Sequence, residues 1–343
     1  MKKDSIDPRL VALPRAGGEK SKDNRQFFEM FLAENKIDAV LWWPGGSRKF
    51  PFVDICRVRG AIAVSCNRGQ PDYYRRSAWS KACGFDSRAV RGVFGKLFLK
   101  LKLWWKDCRH KKVFYFNTEH SDVYLLLSEN YFEDFRSYFP EGKVPCRLAA
   151  IGNICAFPPV EVDFSAKEKE LLFVGRLKFA DKRPDYLIRI WSQLEARFPD
   201  WSLRLVGSGK DEVKLRELAA KLGLKRVFFE GFQKPQEYYR RASIFCMTSA
   251  YEGFPNVLVE AANYGCVPVA FDSFAAVHDI IEDGENGLIV PAFDFDKYTE
   301  KLARLMSDSD LRGRLARNAL KINEKFSPKE IGDKWMSLLS SKN

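Results

Sequence analysis

The chain has 343 residues, 46% of them hydrophobic and 30% charged, the balance of a soluble globular protein long enough for two ordinary domains. No run of about 18 uncharged apolar residues occurs and the opening MKKDSIDPRL has no apolar stretch, so neither a spanning helix nor a signal peptide is expected. The net charge of +12 is uneven: residues 1–160 carry 28 Lys/Arg against 17 Asp/Glu and the remainder is nearly balanced, which points the first half alone toward an anionic partner.

In chain order, the first half offers candidate strands at 9–13, 38–43, 61–66, 112–116, 123–128 and 147–153, with candidate helices at 23–35 and 130–139. The segment 88–112 mixes Phe94, Leu97, Leu99, Leu101, Leu103, Trp104 and Trp105 with Lys and Arg. Its apolar residues do not fall on one helical stripe. It reads equally as a domain helix with one buried face or as a surface resting on an anionic membrane. The Pro- and charge-rich stretch 156–170 reads as a linker.

The second half alternates strand and helix with short loops. Strands are expected at 170–174, 202–206, 226–231, 244–249, 267–271 and 287–291, and helices at 185–198, 211–223, 235–242, 256–265 and 275–281, with two more reaching Lys325. This is the pattern of a parallel sheet covered on both faces. The expected domains are therefore 1–155 and 156–325, with 326–343 as a C-terminal helix returning to the first domain. The eight cysteines are scattered, with no C-x-x-C pair or zinc spacing, and read as small apolar residues of a reducing compartment.

Open α/β sheets bind ligands at the carboxyl ends of their strands. Gly175-Arg176, Gly207-Ser208-Gly209, Gly231-Phe232, Ser249 to Asn256 and Asp272-Ser273 occupy such ends here. Arg176 with Lys182 suits a diphosphate, and Arg183 is the alternative to Lys182. The turn Gly253-Phe254-Pro255-Asn256 opens a helix whose free N–H groups and dipole favour phosphate. Glu252 and Glu260 are eight residues apart, roughly 12 Å if helical. That is too long for a carboxylate pair working on one bond and suits an elongated ligand touched at both ends by hydroxyl-accepting carboxylates. GSGKDE (207–212) lacks the spacing of a phosphate-binding loop or a dinucleotide fingerprint. In the DFD triplet at 294–296, Asp294 reads as a helix cap rather than a metal ligand, and His278 reads as a helix residue.

With these segments in view the chain resembles the retaining GT-B glycosyltransferases of family 4, also called glycosyl transferases group 1. FVGRLKFADKRPDYLI (173–188) is similar to the family's strand, Gly-Arg and Lys block, and YEGFPNVLVEAANYGCVPVAFD (251–272) to its E-x7-E motif. DIIEDGENGLIVP (279–291) is similar to the segment that follows, and LLLSENY (125–131) and AAIGNICAF (149–157) to the crossover between domains. The likeness runs from about Ser128 to Pro291. It implies an α/β fold of two Rossmann-like doubly wound domains facing a cleft, the first shortened. It implies that Arg176 and Lys182 contact the donor diphosphate, Glu252 the transferred sugar and Glu260 the ribose. Backbone amides around Phe254 to Asn256, with Pro255 shaping the turn, and the loop at Gly253 meet the phosphates, Gly175, Gly207 and Gly209 border the nucleotide, and Phe232 and Gln233 lie near the base. No metal or cofactor is implied: the leaving phosphate takes the acceptor's proton and the anomeric configuration is kept.

Three departures stand out, one of them Ser273-Phe274-Ala275 where the family often has Ser/Gly-Pro after the strand VAFD. Cys66-Asn67 occupies the place of the family's His-Asn, so the acceptor-side candidates are Cys66, Asn67 and His120. The opening strand and Gly-rich loop are missing or reduced to 9–21, as in a truncated or trimmed domain. The resemblance implies a cytoplasmic enzyme, peripheral on the inner membrane face. It would move a hexose or N-acetylhexosamine from a nucleotide diphosphate, UDP by preference, to a glycan or lipid-linked acceptor in envelope polysaccharide or lipopolysaccharide assembly. A catalytically inactive nucleotide-sugar-binding or scaffold protein is the main rival. A nucleic-acid binder is disfavoured, because the basic residues form no recognisable module.

Overall fold

The computed structural model describes residues 22–35, 37–43, 53–73 and 93–340. It has two parallel sheets. The first is built from β1 (Ala39–Trp42), β2 (Ile62–Cys66), β3 (Val123–Leu126) and β4 (Arg147–Ala150), side by side in chain order. Helices α1 (Lys22–Asn35) and α2 (Val53–Val58) flank β1 in sequence. The strand expected at 9–13 lies outside the described residues.

Between β2 and β3 runs one long helix, α3 (Val93–His120). The strand expected at 112–116 is part of it. VFYF has the β-branched and aromatic character of a strand, but Leu103, His110, Phe114 and Asn117 recur at helical spacing and are all buried. Phe114 sits edge-on to Tyr124, Phe135 and Tyr138, and that packing decides the period. Phe98, Leu101 and Trp105 recur at i, i+3 and i+7 on the opposite side, and all are exposed, as is Trp104. Of the segment's described apolar side chains, Leu103 faces inward and Phe98, Leu101, Trp104 and Trp105 face outward. Residues 88–92 of the segment lie outside the description. The helix expected at 130–139 is a 3-10 turn (Glu129–Tyr131) followed by the short α4 (Phe132–Arg136).

The second sheet has six strands: β5 (Glu168–Val174), β6 (Ser202–Val206), β7 (Val227–Gly231), β8 (Ala242–Met247), β9 (Val267–Phe271) and β10 (Leu288–Val290), in the order β10-β9-β8-β5-β6-β7. Its interior strands β8 and β9 are buried at every position, as a sheet covered on both faces requires. Helices α5 (Pro184–Ser192), α6 (Glu212–Lys221), α7 (Gln236–Arg241), α8 (Asn256–Asn263) and α9 (Val277–Ile280) connect these strands. After β10 come α10 (Phe295–Ser307), α11 (Ser309–Ala319) and α12 (Ile322–Lys325), three helices where two were expected. Asp294 caps α10 through Lys297 N at 2.9 Å, as its sequence position suggested. Strand order reverses between β5 and β8, which opens a crevice at their carboxyl ends.

The last helix, α13 (Pro328–Ser340), turns back to the first sheet, with the Trp335 ring 6.2 Å from that of Trp43. One hydrophobic core runs through both halves: Val64, Leu125 and Ile151 of the first belong to the same cluster as Leu258 of α8 and Ile331 of α13. No helix among the described residues is long and apolar enough to cross a membrane.

Candidate active site

The crevice at the β5/β8 reversal holds most of the donor-side residues expected from the sequence. The loop leaving β5 carries Arg176 and Lys182, and the loop leaving β8 carries Glu252. Lys182 Nζ lies 2.5 Å from Glu252 Oε1, and the two side chains are only 19% and 11% exposed. A shielded ion pair of this kind is held more firmly than a surface pair. Arg176 is 69% exposed and donates to Asp181 Oδ2 at 2.9 Å. Arg183 does not share the site: it is buried, paired with Asp185 at 2.7 Å, with its guanidinium 3.7 Å from the Tyr186 ring centre. Burial pushes the Asp185 carboxyl above its ordinary range, with Arg183 opposing.

Asp181 gave no signal in the sequence. It accepts from Arg176, from Lys178 at 3.3 Å and from Lys182 N at 3.1 Å, and its carbonyl accepts from Ala250 N at 2.7 Å. It therefore ties the two strand-exit loops together and sets where both cations start. Its partners run from Arg176 to Ala250, so only folding shows the role.

Glycines line the crevice where backbone meets backbone. A Cβ on Gly207 would lie 1.9 Å from Gly175 O, one on Gly209 2.3 Å from Leu177 O, and one on Gly253 2.2 Å from Arg68 O. The last contact crosses from the second domain to the first. Close approach is what all three positions require, and Gly207 also holds a φ of +139° that a side chain disfavours.

The turn before α8 is anchored on its inner side. Phe254 is buried, edge-on to Phe326 at 5.2 Å, and Pro255 is buried behind it. Asn256 starts α8 exposed, its Oδ1 accepting from Asn153 Nδ2 at 2.9 Å. Because the helix begins only at Asn256, the path from Glu252 to Glu260 is not helical throughout, and the helical spacing of roughly 12 Å does not describe it. Glu260 accepts from the Tyr239 hydroxyl at 3.0 Å. Burial holds its carboxyl above the ordinary value, with Tyr239 opposing. Phe232, just past β7, is 85% exposed, and Gln233 beside it is exposed too.

First-domain groups grip the Glu252 loop. Tyr131, fully buried, donates its hydroxyl to the Glu252 carbonyl at 2.7 Å. Tyr73 meets Tyr251 edge-on with centroids 4.6 Å apart, and burial and then Tyr73 raise the Tyr251 phenol above its ordinary value.

The acceptor-side candidates separate. Cys66 and Asn67 stand at the carboxyl end of β2 and line a cavity of about 360 Å³. Burial pushes the Cys66 thiol up to about 12, so near neutral pH it is no thiolate and no general base. His120 ends α3, before β3 begins, with Nδ1 2.7 Å from Phe116 O. It sits at the amino end of the strands, away from Cys66 and Asn67. A larger groove of about 1090 Å³ lies beyond β9, among Asp272, His278, Lys301 and Lys325. Within it Lys301 pairs with Asp283, and the His278 ring meets Asp272, each at 3.0 Å. Size alone does not make it the reaction centre.

Residues 159–322 match the family profile described as glycosyl transferases group 1. The chain resembles that family over 164 of its 343 residues, just under half. Its relatives include the amylovoran biosynthesis glycosyltransferase AmsD of Erwinia amylovora, 32% identical over 179 residues, covering 52% of this chain and 50% of AmsD. They also include a Campylobacter jejuni α-1,4-N-acetyl-D-galactosaminyltransferase named for a PP-undecaprenol-linked acceptor, 26% identical over 198 residues, 57% of this chain and 55% of that one. The chain spans about half the length of these curated relatives. Among solved structures, a point mutant of S. aureus TarM crystallised in complex with UDP superimposes with a TM-score of 0.69 at 21% identity, over 93% of this chain and 59% of that one. That likeness carries the fold, which is GT-B. Within the matched segment, Arg176, Lys182 and Glu252 lie on the loops leaving β5 and β8, and Glu260 lies within α8.

Proposed function

We propose that the protein is a retaining, metal-independent glycosyltransferase of the family 4 type. It moves a hexose or N-acetylhexosamine from a UDP-sugar to a glycan or lipid-linked acceptor in envelope polysaccharide or lipopolysaccharide assembly. The observation that carries this reading is the shielded Lys182–Glu252 pair, linked through Asp181 to Arg176, with Glu252 in the turn that leads into α8. Two cations and a helix end are the groups a departing diphosphate needs, and they take the place a metal fills elsewhere.

On this reading the diphosphate lies along Arg176, Lys182 and the α8 amides. When it binds, Lys182 divides its charge between phosphate and Glu252, and the Glu252 carboxylate is left to accept hydroxyls of the transferred sugar. Glu260 accepts from the ribose, and exposed Phe232 offers the base a face to stack on. The acceptor oxygen attacks from the side of the leaving group, the C1–O bond to the phosphate breaks, and the phosphate oxygen takes the acceptor's proton. No protein nucleophile is used. The Campylobacter relative is named for an α linkage, and common UDP-hexoses are α-linked at the leaving oxygen, so an α product is a retained one.

We place the enzyme in the cytoplasm, resting on the inner membrane face through the outward stripe of α3. Phe98, Leu101, Trp104 and Trp105 form its apolar surface, with Lys102, Arg109 and Lys112 exposed along it for anionic headgroups. Cys66 in place of a histidine favours the inactive-scaffold reading, but a phosphate that takes the proton itself needs no base there.

The test is a thermal-shift screen with UDP, GDP, ADP and CMP forms of common sugars, followed by transfer assays. UDP forms should raise the melting temperature by mass action, and Arg176→Ala and Glu252→Ala should abolish transfer while leaving the fold intact. Turnover unchanged in either variant, or no shift with any nucleotide, overturns the proposal.

A further inference from the structure

Lys167 and Cys266 meet inside the second domain, at the opposite edge of the sheet from the crevice. Lys167 stands just before β5, after the 3-10 turn Phe164–Ala166, and Cys266 lies between α8 and β9. They are 99 positions apart in the chain, yet Lys167 Nζ is 3.7 Å from Cys266 Sγ. Cys266 is wholly buried.

Two backbone carbonyls fix this meeting. Lys167 Nζ donates to Tyr239 O at 2.8 Å and to Ala242 O at 2.9 Å. Cys266 Sγ is within donating reach of the same two oxygens, at 3.1 and 3.3 Å. These oxygens belong to α7 and to the residue that ends it, where a lysine is a common cap. A cap explains the lysine alone. It does not explain a thiol aimed at acceptors the lysine already fills. The partners of the Lys167 amine are those carbonyls and the sulfur, with no carboxylate among them. Burial disfavours charge on both groups: it lowers the Lys167 amine and raises the Cys266 thiol, and each partner opposes the other's shift.

We propose that Lys167 and Cys266 form a modification site, at which dioxygen joins the two side chains through one oxygen atom as a reversible N–O–S bridge. One oxygen atom spans the gap once the flexible lysine stem leans in. The reaction consumes the neutral amine, the thiol and one O2, and it yields the bridge and one water. The N–O and S–O bonds form, while one N–H bond, the S–H bond and the O–O bond break. Nitrogen and sulfur give up two electrons each, and the two oxygen atoms take four. The extra proton of the ammonium goes to solvent beforehand. Two dithiothreitol molecules return the four electrons and regenerate amine, thiol and water.

The bridge fastens the start of β5 to the turn that enters β9. A crosslink between such distant positions restricts the unfolded chain and so holds the folded one. Neither the bridge nor this stapling depends on which ligand the crevice takes.

The experiment exposes the reduced full chain, freed of reductant, to air-saturated buffer, with an anaerobic sample beside it. In air the intact mass should rise by about 14 Da, one oxygen gained and two hydrogens lost, and dithiothreitol should remove the gain. Peptide mapping should place it in one crosslinked species holding Lys167 and Cys266. Lys167→Arg and Cys266→Ser should each abolish the crosslink, and Cys146→Ser should leave it. If Cys266→Ser does not fold, Lys167→Arg and the map of the parent protein decide. The crosslinked form should need more urea to unfold than the reduced form. No gain in air, a gain of about 16 or 32 Da on Cys266 alone, a gain that dithiothreitol leaves in place, or a crosslink that persists in Lys167→Arg overturns the site. Equal urea midpoints overturn the stapling.

Discussion

At the scale of single residues, the two acids of the E-x7-E motif are treated differently by the fold. Glu252 is neutralised by Lys182, whereas Glu260 has a phenol for a partner and burial that raises its pKa. An acid with a raised pKa keeps its proton in the folded state after the unfolded chain has lost it. Stability is then fullest below the ordinary carboxylate range and falls as pH rises from there through the raised value. Glu260→Gln removes that loss. Urea denaturation across this window should show the variant gaining on the parent as pH rises, and parallel curves would refute the assignment. Both acids were legible in the sequence, because a motif fixes their spacing. Asp181 and Tyr131 were not, because what identifies them is a partner elsewhere in the chain: Tyr131 meets Glu252 across 121 residues.

At the scale of elements, legibility followed burial. The strands of the second sheet are apolar runs closed by glycine or a turn, and each stands where the pattern put it. The run at 112–116 has the same local character, yet Phe114 and Asn117 face one core one helical turn apart, and no short window of sequence carries that fact. The exits of β5 and β6 are set by contact between their backbones. Replacing Gly207 by alanine would put a Cβ 1.9 Å from Gly175 O at a φ of +139°. The strand ends would have to part, and a loss of about 2–4 kcal/mol is expected in urea denaturation. Gly223→Ala is the control: its φ is +69° but nothing lies within 4 Å, so only the left-handed backbone penalty, roughly 1–2 kcal/mol, applies.

At the scale of the whole molecule, charge and apolar surface coincide. The first 160 residues hold nearly all of the +12 excess, and α3 carries the outward aromatic stripe. Cosedimentation with phosphatidylglycerol vesicles should therefore be strong at about 0.05 M salt and much weaker at about 0.5 M. Joint replacement of Trp104 and Trp105 by alanine should weaken it further, and equal binding to phosphatidylcholine would contradict the proposed surface.

The aromatic plug that Phe254 forms with Phe326 has a mechanical meaning. The turn bearing Glu252 is fastened to Phe326, just before the last helix, and the Tyr131 hydroxyl holds the same turn from the first domain. Any separation of the two halves would therefore strain this turn from both sides.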